Sequence, residues 1–343
     1  MKIGICGLGR IGKTLLRKIF ENANHNIEVS IIKDLKDPNQ TKDDALKNLA
    51  YLLQNDSTYG SFPKQISILN DNYLLIGEKK IYCDFSENIT DVDWNSFDID
   101  LLVEASGSQE NLDKVKACIS SKLKNVLITR SSNIASFTLV FGVNEDKLDI
   151  NKHEIISLST CTGNAVAPLL KVIDEEFSIK NGFLATIHPV LSSEKSLDSA
   201  NRLAQLGRAS KNVKLLDTAI AKSAIDVLPN LKNKISDQSL SYRIPTDIVS
   251  SVYGVLKIEK KTNSKNIISL LKKKLNPKIT GVCDGSFEKE LVSLDYIKDD
   301  RSSILSSFRT IINDDMLSFH LWHDNEYGYC SRIYDALLLL SKK

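Results

Sequence analysis

The sequence predicts an α/β domain with a doubly wound parallel sheet, followed by an α+β domain with a mixed or antiparallel sheet. Three observations lead there. Short apolar strand candidates alternate with helical spacings through residues 1–160. A glycine loop of the pattern G-x-G-x-x-G joins the first strand to the first helix. Beyond residue 161 crossovers become fewer and the strand candidates lengthen, which suits a sheet with helices on one face.

The first strand is Ile3-Gly4-Ile5-Cys6. It runs into Gly7-Leu8-Gly9-Arg10-Ile11-Gly12, after which Leu15, Leu16, Ile19 and Phe20 show helical spacing across Lys13–Phe20. Gly7 permits the tight turn, Gly9 lets backbone approach a pyrophosphate, and Gly12 allows helix to pack on strand, with the helix N-terminus facing the phosphates. This is the context of a Rossmann-type dinucleotide site. The next strand, Ile27–Ile32, ends at Lys33-Asp34 and puts the Asp34 carboxylate 22 residues after Gly12, where it can bond the ribose hydroxyls. Asp34 favours NAD because it repels a 2′-phosphate; Lys33 and Lys36 beside it keep NADP as the alternative.

Strands at Ile99–Glu104 and Asn125–Thr129 end in Ala105-Ser106-Gly107 and in Thr129-Arg130-Ser131-Ser132, with a helix predicted over Gln109–Ser121 between them. Small and hydroxylic residues at successive strand ends, Ser106, Gly107 and Thr129 among them, suit a cofactor groove. Strands at Phe137–Val143 and Glu154–Ser159 complete the first domain.

Cys161 falls where the apolar run Ile155-Ile156-Ser157-Leu158 gives way to a helix over Ala165–Phe177. The N–H groups and dipole of a helix start favour an anion, so a lowered pKa and a nucleophilic thiolate are expected there. The alternative is a buried structural thiol, against which Thr160 and Thr162 make a polar setting. A strand over Gly182–Ile187 leads to His188, 27 residues after Cys161. Of the five histidines (His25, His153, His188, His320, His323) it has the best context for a base beside the thiol. The polar stretch Leu191–Asp217 is too long for a simple connector and reads as a functional loop or an interface. Helices are predicted at Thr218–Val227 and Ser264–Lys274, and strands at Leu240–Ile244, Ile248–Leu256, Leu291–Asp295 and Leu317–Trp322.

Composition bounds the partners. The 343 residues carry 45 basic and 43 acidic side chains, a net charge of +2, so no field is built in for nucleic acid or an acidic membrane. No apolar run approaches the ~20 residues that span a bilayer. The six cysteines are scattered without C-x-x-C spacing, so neither a metal site nor a disulfide framework is expected. With a strand-like start and no signal peptide ahead of it, a cytoplasmic home is expected.

With the loop, Cys161 and His188 in hand, the chain resembles phosphorylating glyceraldehyde-3-phosphate dehydrogenases nearly end to end. Asp56-Ser57-Thr58-Tyr59-Gly60 is similar to that family's "DSTHG" and Cys161-Thr162-Gly163-Asn164 to its catalytic "CTTN". Thr186-Ile187-His188 matches "TVH" and Arg243-Ile244-Pro245-Thr246 matches "RVPT". Trp322-His323-Asp324-Asn325-Glu326-Tyr327-Gly328-Tyr329 matches "WYDNEYGY" with one change.

The resemblance implies that Cys161 attacks an aldehyde while His188 takes its proton, that NAD accepts hydride, and that inorganic phosphate cleaves the thioester to an acyl phosphate. It implies cofactor contacts from Gly7, Gly9, Arg10, Ile11, Gly12, Asp34, Ser106, Gly107, Thr129, Asn325 and Tyr329. Arg243 would bind the substrate phosphate, and Thr160, Thr162 and Thr218-Ala219 the attacking phosphate. It also implies a cofactor domain of residues 1–160 completed by a C-terminal helix within 323–343 (Ser331–Ser341), a catalytic domain of residues 161–322, and a homotetramer with Leu191–Asp217 lining a neighbour's cofactor site.

Departures from the pattern cluster at the substrate end. Leu191 stands where a threonine grips the substrate phosphate, at a cost of about 1.5–3 kcal/mol; Ser192 and Ser193 are the available substitutes. Asp217 puts an acid near a phosphate pocket, and Ser199-Ala200 replaces a "LP" pair that accompanies NAD preference. These changes keep open the same chemistry on another aldehyde, such as erythrose 4-phosphate. A non-catalytic nucleotide-binding paralogue is the other alternative, and the joint retention of Cys161, His188, Arg243 and Asn325 speaks against it.

Overall fold

The computed structural model describes the 343 residues except 23–25, 71, 196, 202, 209–210, 285–290 and 343, so His25 lies outside the described residues. The chain divides into two compact units. One comprises residues 1–139, 146–159 and 330–343, the other residues 140–145 and 160–329.

The first unit is built on a nine-stranded sheet. Its order is Phe137–Thr138, Ile155–Ser157, Asn125–Ile128, Leu101–Glu104, Lys2–Cys6, Glu28–Lys33, Lys79–Asp84, Tyr73–Ile76, Ile66–Asn70. The first seven run parallel, and the last two extend the sheet antiparallel. Ile3, Ile5, Ile31, Ile32, Leu102, Val103, Val126 and Leu127 are fully buried, as expected of strands covered on both faces. The order grows outward from Lys2–Cys6 in both directions, so its carboxyl end is the switch point of the sheet. The helix Arg10–Glu21 buries Leu15, Leu16 and Ile19.

The second unit carries a mixed eight-stranded sheet, ordered Lys214–Asp217, Leu240–Ile244, Ile179–Pro189, Ser250–Ile258, Met316–His323, Ser303–Ser306, Thr280–Cys283, with Ile311–Asn313 alongside Met316–His323. The helices Cys161–Phe177, Ile220–Ile225 and Ser264–Lys274 lay Val166, Leu169, Leu170, Ile220, Ala224, Ile267 and Leu271 into one core with Leu184, Val252, Leu256, Phe319 and Leu321. No helix among the described residues is long and apolar enough to cross a membrane.

Several sequence expectations need correction. Leu291–Asp295 is not a strand: the Asp295 carboxylate accepts the Val292 N–H at 2.8 Å and winds Ser293–Tyr296 into a 3-10 turn. The helix expected over Gln109–Ser121 ends at Lys114 and tightens to 3-10 geometry over Val115–Cys118, because Ser120 accepts the N–H groups of Lys122 and Leu123 in a competing turn. The strand expected over Phe137–Val143 stops at Thr138; Asn144 accepts the Val140 N–H and the chain turns. The strand expected over Ile248–Leu256 runs Ser250–Ile258, since Val249 at φ 69° breaks extension. The helix Lys42–Gln54, started by a Thr41–Asp44 capping box, was not anticipated, nor were the strands between Ile66 and Asp84.

Gly254 is a close approach in the second core: a Cβ there would lie 2.2 Å from the Phe319 ring and 3.0 Å from Leu184. Gly254→Ala is expected to lower stability by about 1–3 kcal/mol through overpacking, read as an earlier denaturation midpoint. An unchanged midpoint would mean that the core is looser than described.

Candidate active site

In the first unit, the glycine loop sits at the sheet's switch point. Gly7 has φ +94° and donates its N–H to the Lys33 carbonyl at 2.7 Å. A Cβ on Gly7 would lie 2.2 Å from Ser106 Cα, and one on Gly12 would lie 1.9 Å from the Gly7 carbonyl oxygen. Neither position tolerates a side chain. Helix Arg10–Glu21 starts at Gly9 with no side-chain cap and no acid in its first turn, so its leading N–H groups are left for an anionic ligand. A dinucleotide pyrophosphate fits that start.

Asp34, Ser106, Gly107 and Thr129 stand at the carboxyl ends of neighbouring parallel strands, as expected. The Asp34 carboxylate accepts the Leu35 N–H at 2.9 Å, and burial raises its pKa against the bonds from Leu35 and Leu8. Thr129 donates both its N–H and its hydroxyl to the Glu104 carbonyl at 3.1 Å. The Lys33 side chain is fully buried and its ammonium donates to the Glu87 carbonyl, while Lys36 donates to Gln40. Arg10 is held by Asp56, whose carboxylate also takes the N–H groups of Thr58 and Tyr59. Arg17 donates to the Gly60 carbonyl, so the Asp56–Gly60 segment braces the helix that carries the loop.

The remaining predicted residues belong to the second unit. Thr160 is the N-cap of helix Cys161–Phe177: its hydroxyl accepts the Gly163 N–H at 3.0 Å, and the Asn164 side chain donates to its carbonyl at 2.9 Å. The helix therefore begins at Cys161, four residues before the expected Ala165, and the thiol occupies the first helical position. The Thr160 and Thr162 hydroxyls are 3.3 Å apart, and Thr160 donates to Ser223 at 3.2 Å, which brings helix Ile220–Ile225 to the site. Thr218 and Ala219 precede that helix, Thr218 half-buried and Ala219 exposed.

His188 lies inside the strand Ile179–Pro189 and is paired in register with Arg243 of Leu240–Ile244. Its Nδ1 is 2.8 Å from the Pro189 carbonyl, which suits a tautomer with the proton there and leaves Nε2 as the base. Asn325 is buried, and its Oδ1 has no hydrogen-bond partner among the described residues. Tyr329 is buried too, in the first turn of Tyr327–Leu340.

The expected low pKa of Cys161 is not what the structure gives. Burial pushes the thiol up to about 11; the N–H groups of Thr162 and Cys161 and the charge of Arg243 pull the other way without prevailing. Burial, then Arg243, pushes His188 down to about 4. Both shifts favour a protonated thiol and a neutral imidazole at neutral pH. His323, pressed down to about 3 by burial and by His188, is a second neutral buried imidazole in this field.

Three groups escaped the sequence reading. Glu194, 2% exposed at its side chain, sits 2.8 Å from Arg243 Nε and also pairs with Lys214, 4% exposed. His323 is the third. A carboxylate in a polar loop carries no sequence mark of burial. Lys214 carries none either: its inward position comes from the strand Lys214–Asp217, in which Leu215 and Asp217 are exposed.

A glycine-looped parallel sheet whose helix start is left open for an anion defines a dinucleotide-binding protein of the dehydrogenase class. Residues 1–112 match the model of the glyceraldehyde 3-phosphate dehydrogenase NAD binding domain, and residues 160–325 match that of the glyceraldehyde 3-phosphate dehydrogenase C-terminal domain. The chain is 33% identical to glyceraldehyde-3-phosphate dehydrogenase 2 of Nostoc sp. over 345 aligned positions, covering 100% of this chain and 99% of the relative. It is 31% identical to glyceraldehyde-3-phosphate dehydrogenase 2 of Bacillus subtilis, covering 98% and 96%, and 31% identical to the Geobacillus stearothermophilus glyceraldehyde-3-phosphate dehydrogenase, covering 100% and 99%. The chain belongs to the glyceraldehyde-3-phosphate dehydrogenase family. It is an NAD-dependent dehydrogenase of that kind, and NAD is its cofactor.

Alkylation of Cys161 by iodoacetamide in the cofactor-free protein should rise about tenfold per pH unit between pH 7 and 9, because the thiolate fraction grows that way below a pKa near 11. A rate already flat above pH 6 would contradict the neutral resting pair.

Proposed function

We propose that this protein oxidises glyceraldehyde 3-phosphate with NAD and inorganic phosphate to 1,3-bisphosphoglycerate, through a thioester on Cys161. The observation that carries this reading is the placement of the Cys161 thiol at the first position of a capped helix, in the field of an Arg243 that is paired in register with His188. The Cys161 sulfur attacks the aldehyde carbon while its proton passes to His188 Nε2, which hands it on to the carbonyl oxygen to give a thiohemiacetal and returns to the neutral form. His188, neutral at rest, is in the correct state to accept that proton. It then takes the hydroxyl proton of the thiohemiacetal as the carbon is oxidised. NAD, when bound, accepts the hydride released in that step.

Thr160, Thr162 and Thr218 supply hydroxyls to the inorganic phosphate that attacks the thioester carbon and releases the Cys161 sulfur, and Ala219 shapes the same site. Arg243 binds the phosphate end of the substrate. Gly7, Gly9, Arg10, Ile11 and Gly12 form the pyrophosphate loop, and Asp34 bonds the adenosine ribose. Ser106, Gly107 and Thr129 line the strand ends beneath the dinucleotide. The unpartnered Oδ1 of Asn325 suits the amide N–H of the nicotinamide carboxamide, with Tyr329 packed near it. On this reading residues 1–160 and the C-terminal helix hold the cofactor, and residues 161–322 carry the chemistry.

A homotetramer fits the outer face of the second unit's sheet. Phe183, Tyr242, Tyr253 and Leu215 are exposed there, and register pairs Tyr253 with Ala185 and Tyr242 with both Ile187 and Leu215. Apolar side chains in register on one exposed face suit burial against a second copy.

Steady-state NADH formation from glyceraldehyde 3-phosphate should require inorganic phosphate and fall at least about a thousandfold in Cys161→Ser, whose hydroxyl is a far weaker nucleophile at neutral pH. Turnover that is indifferent to phosphate, or that survives the substitution, would overturn the proposal.

A further inference from the structure

Lys214, Arg243 and His188 occupy one cross-strand row, since register pairs Arg243 with Lys214 on one side and with His188 on the other. Above that row the chain turns at Leu191–Glu194, where the Glu194 N–H donates to the Leu191 carbonyl at 2.8 Å. The turn leaves Leu191 43% exposed and sends Glu194 inward. One oxygen of Glu194 lies 2.8 Å from Arg243 Nε, and the other pairs with Lys214 Nζ. A second contact fixes the guanidinium: Arg243 Nη1 donates to the Pro189 carbonyl at 3.2 Å.

Arg243 is thus already partnered. Its Nε lies in an ion pair with a buried carboxylate, without an aligned hydrogen bond, and its Nη1 is committed to the Pro189 carbonyl. A phosphate arriving at Arg243 meets that carboxylate as a competitor for the same cation and as a like charge in a weakly screened setting. Lys214 keeps Glu194 from leaving, because swinging the carboxylate away would strand a buried ammonium. Leu191 supplies no hydroxyl to compensate.

We infer that Glu194 is a specificity-determining residue: a resident counter-ion on Arg243 that competes with the substrate's phosphate and narrows the preference for phosphorylated over neutral aldehydes. The inference rests on the reading of Arg243 as the substrate's phosphate anchor. Loss of the Glu194 charge releases the guanidinium, whereas an aldehyde without phosphate has no claim on it.

The test uses the full-length enzyme and Glu194→Gln, with Glu194→Gln/Lys214→Met as the variant that leaves no stranded ammonium if the single change fails to fold. The ratio of kcat/KM for glyceraldehyde 3-phosphate to that for glyceraldehyde should rise at least tenfold in whichever variant folds. An equal or lower ratio overturns the inference, a lower one showing that Glu194 holds Arg243 in place for the phosphate. Calorimetric titration with inorganic phosphate, using Arg243→Ala as the blank, separates this from the proposed function. If the parent enzyme oxidises neither aldehyde, the functional reading fails, and the inference still requires the phosphate Kd to drop at least tenfold on Glu194→Gln. An unchanged Kd overturns it whatever the turnover shows.

Discussion

Thr160 holds the first turn of the helix Cys161–Phe177 by accepting the Gly163 N–H through its hydroxyl, while its carbonyl takes the Asn164 side chain. Just before it, Ser159 adopts φ 55° and gives its N–H to the Ser157 hydroxyl. A left-handed residue followed by a capped start turns the chain abruptly from extended to helical. That turn decides where the thiol stands: at the first helical position, facing unpaired N–H groups, with Thr162 beside it. Removal of the cap would free one orphan donor at a cost of about 1 kcal/mol and loosen the position from which the sulfur acts.

The same placement sets a tension between stabilisation and desolvation. Helix N–H groups and Arg243 favour a thiolate, yet burial outweighs them, and the resting sulfur keeps its proton. Burial likewise keeps His188 neutral, with Nδ1 committed to the Pro189 carbonyl. On the proposed mechanism a neutral thiol and a neutral imidazole are a serviceable starting point, since charge then appears only as the carbon–sulfur bond forms. Glu194 introduces a second balance, in which one buried carboxylate is shared by the Arg243 and Lys214 cations.

The sequence showed the architecture wherever local pattern and tertiary role agreed. Lys2–Cys6 and the glycine loop were legible because glycine is required where Gly7 and Gly12 meet backbone within van der Waals distance. Leu240–Ile244 and Ser264–Lys274 keep the bounds that their periodicity predicts. Strand–turn boundaries were harder to read where a single side chain ended an element, as Asp295 and Asn144 do. Of the candidate site, the placement of Cys161 at a helix start and of His188 near a strand end was legible, while their desolvation was not, since helix position is local and desolvation depends on everything packed around it. Glu194 was hidden for the same reason. Its partners Lys214 and Arg243 are 20 and 49 residues away, and only the sheet register brings them together.

The central claim is that Cys161 carries the acyl group. Rapid mixing of the enzyme with NAD and glyceraldehyde 3-phosphate in the absence of inorganic phosphate, followed by acid quench and peptide mass spectrometry, tests it directly. The account predicts one NADH per active site in the first turnover, a phosphoglyceryl adduct on the peptide bearing Cys161, and loss of that adduct when phosphate is added. NADH released without an adduct, or an adduct on any other residue, would contradict it.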